Sequence, residues 1–413
     1  MMNKLKTMSS ATRTNFLTYL GVIIAFAILQ PLSMGGKLDP TLQGQLVPVC
    51  AYVVMALSLN LTVGVMGELS LGHAGFMSVG AFSGAVAASA LQNVIASVPL
   101  RLVIALVVGA VFAGIVGTLI SVPVLRLNGD YLAIVTLAFG QIIKSIVENL
   151  YVGVDGKGLH FSFLKPTITL GQGGKMILNG PMGIPNISKI STFLAGFALI
   201  LVTLVVIFNL VNSRSGRAIM AIRDNRIAAE SVGLNVTKYK MMAFVTSAAL
   251  AGAAGALFAL GQNTIVASKF DFNTSILILV YVVLGGLGNM WGSIIAAAFL
   301  TILPETPMMR GLADYRMLVY AVVLILVMLA TNSKSITGWR LAFWAVGGGV
   351  GALIAKIVPL QDVMEGNVAI IKSGMLAGMI VIVGVIAADI FYQQIKDKLP
   401  KVRLFRKGAK GDE

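Results

Sequence analysis

Charge is what this sequence has least of. Only 11% of its 413 residues are charged, against 57% hydrophobic, and the mean hydropathy is +0.91. So few charges could not keep the surface of a water-soluble globule polar, and the chain is therefore read as a polytopic membrane protein. The single cysteine, Cys50, lies inside an apolar run, which excludes a disulfide framework and a cysteine metal site. His73 and His160 have no neighbouring Cys or acidic cluster, so no metal is expected. Segments of alternating polarity are nearly missing, which excludes a transmembrane β-barrel. A phosphate-binding loop is missing too: Gly174-Lys175 is followed by Met176, and Gly156-Lys157 has Tyr151 where the first glycine belongs. Any nucleotide that powers this chain must bind elsewhere. Without a nucleophile-and-base constellation, an enzyme is not expected. Nor does a lone carboxylate sit at mid-span, which counts against a proton- or sodium-driven carrier. Lys144 and Glu148, four apart, can neutralise each other on one helical face, while Lys356, Lys372 and Asp389 lie close enough to span ends to snorkel.

What is present is a series of apolar runs. They lie near 16–34, 44–66, 69–91, 101–125, 131–152, 190–212, 241–261, 275–304, 315–331, 341–358 and 367–391. The run from 275 to 304 is interrupted at Gly285-Gly286-Leu287-Gly288 and is read as two short spans. Crossing the hydrocarbon takes about 20 apolar residues with the backbone satisfied internally, so the expected fold is all-α, with about 9–11 transmembrane helices. Lys4, Lys6 and Arg13 before the first run resemble a signal peptide, but no small-residue cleavage site follows, and an uncleaved first span is expected.

The net charge of +15 sits between the apolar runs rather than on a folded face, so it is a topology signal and not a nucleic-acid footprint. The largest clusters are the stretch Ser213–Lys240, with Arg214, Arg217, Arg223, Arg226, Lys238 and Lys240, and the tail from Lys396 to Lys410. Placing both inside the cell puts the N- and C-termini in the cytoplasm. The segment Gly153–Lys189 then lies outside. It is too long and polar for a simple connection, and ITLGQGGKMIL within it alternates around a Gly-rich turn like a small hairpin.

Two features can carry function. The Gly-rich stretch Gly67–Gly84 contains Ser70, Gly72, His73 and Gly75, and each Gly weakens a helix by roughly 1 kcal/mol relative to Ala. Either close helix packing offsets that loss, or Glu68–Gly75 is unwound and lines a path, with the break at Gly285, Gly286 and Gly288 as its counterpart in the other half. His73 by default is a hydrogen-bonded residue at a helix end. In Ser213–Lys240, a helix would place Ala218, Ala221, Ile222, Asn225, Ala228 and Ala229 on one stripe and Arg223, Arg226 and Glu230 elsewhere, with Gly233 as its C-terminal cap. Such a helix can dock in a partner's groove; a solvated basic loop is the plainer reading.

Three stretches resemble a known family. They are LSLNLTVGVMGELSLGHAGFMSVGAF, LRLNGDYLAIVTLAFGQI and GRAIMAIRDNRIAAESVGLNVTKYKMMAFVTSAALAGAAGAL. All three resemble permease subunits of bacterial branched-chain amino-acid ABC importers, the second being typical of the LivM-like branch; urea-importer permeases are closely similar. The likeness runs from about Leu46 to Ala330. It implies a bacterial plasma-membrane permease domain over 1–331 that works with a second permease subunit, two ATP-binding subunits and an extracytoplasmic solute-binding protein. ATP and Mg would sit on the partner ATPases and no cofactor on this chain. Arg223, Asp224, Arg226, Ala229, Glu230 and Gly233 would then belong to the helix that couples to the ATPase, and Ser70, Gly72, His73, Gly75, Gly285, Gly286 and Gly288 to the translocation path. The chain departs from the family after Ala330, where 332–413 adds two spans and a basic tail, and in Gly153–Leu159, a loose match to a Gly-Gly-x-x-Gly-Leu pattern.

Overall fold

The computed structural model describes residues 10–35, 40–127, 129–155, 158–163 and 174–303. The three apolar runs beyond 304, the 332–413 extension and the basic tail lie outside the described residues.

Apart from one small sheet, the described chain is helical. Helices α1 (Ser10–Met34) and α2 (Pro40–Asn60) come first, and α2 continues through a wider π-helical turn, Leu61–Met66. That turn stops at Gly67, whose φ of 79° few other residues adopt. After a non-helical stretch, α3 (His73–Ala90), α4 (Val98–Val124) and α5 (Asp130–Glu148) follow. The sheet comes next, and beyond it α6 (Phe193–Asn212), α7 (Arg214–Asp224), α8 (Arg226–Ser231), α9 (Val236–Ala259), α10 (Phe272–Gly285) and α11 (Met290–Ile302).

Among the described residues, seven helices are long and apolar enough to cross a membrane: α1, α2 with its final turn, α4, α5, α6, α9, and α10 with the turn before it. The expected all-α membrane architecture is present. Residues Val103, Val107, Val111, Phe112, Ile115 and Leu119 of α4 are all more than half exposed, an outward apolar face that suits lipid tails and not water.

The core is built on small residues. Gly80 and Gly84 of α3, Gly109 and Gly117 of α4, and Gly252 and Gly255 of α9 bring three backbones together: a Cβ on Gly80 would collide with the backbone of Gly252, and one on Gly255 with that of Met77. Close approach of this kind is how helices gain dispersion energy where no hydrophobic drive separates helix from lipid. The close-packing reading of the Gly-rich span therefore holds for Gly80 and Gly84.

The segment after α5 is folded around a small sheet. Strand β1 (Leu150–Asp155) pairs antiparallel with β2 (Gly158–Phe163) on one edge and with β3 (Lys175–Asn179) on the other, in the order β2-β1-β3. The first half and the turn of the expected hairpin fall almost wholly within 164–173. Its second half, Lys175–Leu178, is a strand whose partner is β1, because Val152 and Leu178 there share a buried face; residues 164–173 lie outside the described residues. A bridge between Ile184 and Ile265 ties this segment to the α9–α10 connection. The 20 residues of α6, about 30 Å long, separate the sheet end of the bundle from the end that carries the basic stretch.

Candidate functional site

Both expected helix breaks are present. The first covers Gly67–Gly72, so the unwound stretch is shorter than Glu68–Gly75: His73, Ala74 and Gly75 already belong to α3. Its backbone is held by side chains from other helices, as non-helical chain inside a bundle requires. Thr136 Oγ1 of α5 accepts from Leu71 N at 3.1 Å, and Ser275 Oγ of α10 accepts from Ala74 N at 3.2 Å. Gly72 lies so close to the Thr136 carbonyl that a Cβ would clash, and Gly75 faces Gly140 at 3.0 Å from where its Cβ would stand. These two glycines are packing residues against α5. His73 and Ser70 are buried and polar. His73 Nε2 hydrogen bonds Ser58 Oγ of α2 at 2.8 Å, as a helix-end histidine should, while His73 Nδ1 and Ser70 Oγ have no hydrogen-bond partner among the described residues. Beside them Ser247 Oγ of α9 donates to the Ser58 carbonyl at 2.5 Å, and Thr62 Oγ1 donates to Ser247 Oγ at 2.8 Å. Small polar groups thus line a seam between α2, α3 and α9.

The second break lies between α10 and α11. Gly286 and Gly288 have φ of 92° and 81°, and Asn289 caps α11 by accepting from Gly292 N at 3.3 Å. Gly285 packs on Gly292, which folds the two short helices against each other. A residue the sequence reading missed organises this turn: Asn60, the last residue of α2. Its Oδ1 accepts from Gly288 N at 2.8 Å, and its Nδ2 donates to the Asn289 carbonyl at 3.2 Å and to Ser293 Oγ at 2.8 Å. Gly64, one turn on, abuts Gly288. The two breaks are therefore anchored on the same helix, the first through Ser58 and the second through Asn60. An Asn inside the apolar run LSLNLT was the available signal.

The basic stretch is two helices, not one. Asn225 leaves the helical region (φ −155°), and its side chain accepts from Ala228 N at 3.0 Å, capping α8. The turn breaks the expected stripe: Ala218, Ile222 and Ala229 are buried, whereas Ala221, Asn225 and Ala228 are exposed. Gly233 does cap α8. At φ 83°, its N–H donates to the Glu230 carbonyl at 3.0 Å and Leu234 N donates to the Ala229 carbonyl at 3.1 Å, the pair of bonds of a Schellman motif. Leu234 then packs on Ile222, Ala229 and Val236, which fold α8 back onto α7. The expected grouping of Arg223, Arg226 and Glu230 is likewise divided. Arg226 pairs with Glu230 at 3.0 Å, while Arg223 pairs with Asp224 at 3.0 Å and reaches inward.

That inward reach joins the parts. Arg223 Nη1 donates to the Gly64 carbonyl at 2.9 Å, and its side chain packs on Gly67. Just inside the break, Lys240 of α9 forms an ion pair with Glu68, both side chains nearly buried at 6% and 12% exposure. Gly64 and Asn60 were absent from the expected site, and Glu68 and Lys240 stood only at the edges of the expected path stretch and basic loop. The chain so described is a multi-pass membrane protein with two interruptions, the first in direct contact with a cationic two-helix loop and the second joined to it through α2 and its final turn.

A family model described as "Branched-chain amino acid transport system / permease component" matches residues 42–328, and the chain belongs to that family. It is a multi-pass inner-membrane protein. The chain is 35% identical over 288 residues to the high-affinity branched-chain amino acid transport system permease protein LivM of Escherichia coli K12, and equally to LivM of Salmonella typhimurium; each match covers 67% of this chain and 66% of the relative. It is also 30% identical over 261 residues to the fructose import permease protein FruG of Bifidobacterium longum, covering 61% and 70%. The chain thus spans just under two thirds of the LivM relatives' length. No solved structure matches it.

Proposed function

We propose that this chain is the transmembrane permease subunit of an ATP-driven importer of branched-chain amino acids. A solute-binding protein would deliver the solute, and two ATP-binding subunits would energise transport beside a second permease. One observation carries the mechanical part of this reading: the loop that would meet the ATPases packs on the first break, through Arg223 on Gly67, and is linked to the second through Gly64, whose carbonyl Arg223 binds and which abuts Gly288. A displacement of α7 and α8 therefore reaches the polar seam directly, and alternating access can follow from rigid groups of helices moving about these breaks. Ser70 Oγ and His73 Nδ1, buried and unpartnered among the described residues, are the groups we assign to a passing solute's ammonium or carboxylate.

The substrate assignment draws on the LivM likeness, the higher in identity; a permease for urea or another small amide or amino acid is the second reading, since an apolar, charge-poor path suits urea almost as well as an aliphatic zwitterion. Uptake of labelled leucine, valine and urea into vesicles holding the full complex with its binding protein decides between them. ATP-dependent leucine and valine uptake without urea uptake is expected. Urea uptake alone would overturn the substrate, and uptake driven by an ion gradient without the ATPase subunits would overturn the class.

Ile227 and Val232 are 80% and 76% exposed on α8 and just beyond it, in a loop that is otherwise strongly charged. Exposed apolar side chains in such a place are the natural anchors for a partner groove. We expect Ile227→Asp to change the permease's own stability by less than about 0.5 kcal/mol, since the residue touches little. ATPase association should weaken at least about tenfold, as for a lost anchor. Co-purification of the ATP-binding subunits with the variant reads this; unchanged association would show that α8 is not the docking element.

A further inference from the structure

We propose that Glu68 and Lys240 form a transmission latch: the pair, with Arg223 on Gly64, grips the start of the unwound segment on either side of Gly67 and makes it move with the coupling loop. The proposal rests on the importer reading above and names positioning residues that the family resemblance did not supply.

Burial of two opposite charges is a poor stabiliser, because the desolvation of both ions offsets most of their attraction, and apolar residues of similar size commonly serve as well. Such a pair is best explained where its two halves must stay in register or must part. Here the halves belong to segments that a working permease has to coordinate. Glu68 is the first residue past Gly67, where the extension of α2 stops, and Lys240 lies in the opening turns of α9, just beyond its Asn235 cap, which accepts from Lys238 N at 3.0 Å. Arg223 stands near the end of α7 and grips Gly64. Between Arg223 and Lys240 runs only α8 with its Gly233 turn, the part of the chain that presents Ile227 and Val232 outward. The coupling element is therefore suspended between two grips on the same five-residue stretch, 64–68. When it shifts, that stretch must shift with it or one grip must open. Because Gly64 also backs onto Gly288, and Asn60 holds Gly288 N, the second break is drawn along.

The two grips differ in kind. Arg223 binds a backbone carbonyl, which no side-chain substitution at 64 can remove, so its contact holds position. The Glu68–Lys240 contact depends entirely on two side-chain charges, and it is the grip that can be released and re-made within a cycle.

The test uses the full complex in vesicles with its binding protein, measuring solute uptake and ATP hydrolysis together. Glu68→Gln and Lys240→Met should lower uptake per ATP hydrolysed by about tenfold or more, because the loop still moves but no longer carries the segment with it. The reversed pair, Glu68→Lys with Lys240→Glu, should restore uptake per ATP to within about threefold of wild type, since an ion pair is recovered with its direction inverted. Glu68→Asp, which keeps the charge, should lie between. A merely structural pair would lower the amount of assembled complex and leave the ratio unchanged in what assembles, and that result overturns the proposal. So does a reversed pair that assembles and hydrolyses ATP no better coupled than the single variants. Should the wild-type complex itself show no ATP-dependent uptake of leucine, valine or urea, the importer reading fails, which is a different outcome from loss of coupling in the variants.

Discussion

Gly252→Val is expected to destabilise the protein by roughly 3 kcal/mol, at or above the upper end of ordinary overpacking, and to abolish uptake with it. The reason is that the atoms it would strike are backbone. A Cβ at Gly252 would stand 2.5 Å from the Gly109 carbonyl oxygen and closer still to the Ala113 methyl, while the Gly252 backbone is itself the surface against which Gly80 lies. Side chains can rotate away from an intruding methyl; the carbonyls of two packed helices cannot, and separating α3, α4 and α9 opens the contacts that hold the centre of the bundle. Gly114→Ala on the same α4 helix is the control. Its Cβ would meet only the Ala249 methyl at an ordinary 3.5 Å, and Ala is the better helix former by roughly 1 kcal/mol, so this variant should be neutral or stabilising. Thermal unfolding of the two purified variants in detergent separates these expectations, and similar midpoints would show that the three-helix contact is not the centre of stability.

The second large effect is expected at Asn60. Asn60→Leu keeps the size and apolar character suited to the end of α2 but removes one acceptor and two donors from a fully buried position. Ser293 Oγ retains a bond to the Asn289 carbonyl at 3.1 Å, so the chief orphan is the N–H of Gly288. A buried group left unpaired costs about 1–3 kcal/mol, and because the strain falls on one turn, the loss should appear as local opening of the 285–293 segment and not as global unfolding. Hydrogen exchange measured by mass spectrometry should rise in that segment and stay unchanged in α3 and α9. Uptake should fall at least about tenfold, since the second break no longer follows α2. Asn60→Asp, which preserves the acceptor for Gly288 N but neither donor, should give a smaller rise in exchange. Unaltered exchange at 285–293 in the Leu variant would show that the turn is held by its own glycines.

Together with Ile227→Asp and the Glu68–Lys240 reversal, these variants divide the molecule by role. Gly252 tests whether the bundle holds, Asn60 whether the two breaks are joined, the ion pair whether loop and break move together, and Ile227 whether the loop meets a partner. A loss of uptake therefore has four distinguishable causes, each with its own second readout.

Local chemistry was legible wherever a few neighbouring residues decide the outcome. Apolar runs marked the helices, because a helix in lipid needs little besides length and hydropathy. Gly67 and the Gly286–Gly288 turn announced the breaks, because their positive φ angles tolerate few other residues. Gly233 announced the end of α8 through the bonds its own turn makes. The split at Asn225 was not legible, although Asn is a common cap, because the 3.6-residue stripe of small side chains continues across it and periodicity carries no mark of a turn that a single side chain enforces. Nor was the pairing of Lys175–Leu178 with β1, since alternation shows which residues can be strands without naming the strand they pair with.

What only the tertiary structure decided is how these pieces meet. Asn60 finds Gly288 across 228 positions, Glu68 finds Lys240 across 172, and Arg223 finds Gly64 across 159. Hydropathy, charge and the placement of glycine determined that this chain crosses a membrane many times, where its helices break, and that one loop is basic. They are properties of single residues and their near neighbours. The contact of that loop with the first break, and of α2 with the second, is a property of pairs brought together by packing, and a pattern that repeats every few residues holds no record of which distant residue a polar group must find once water is excluded.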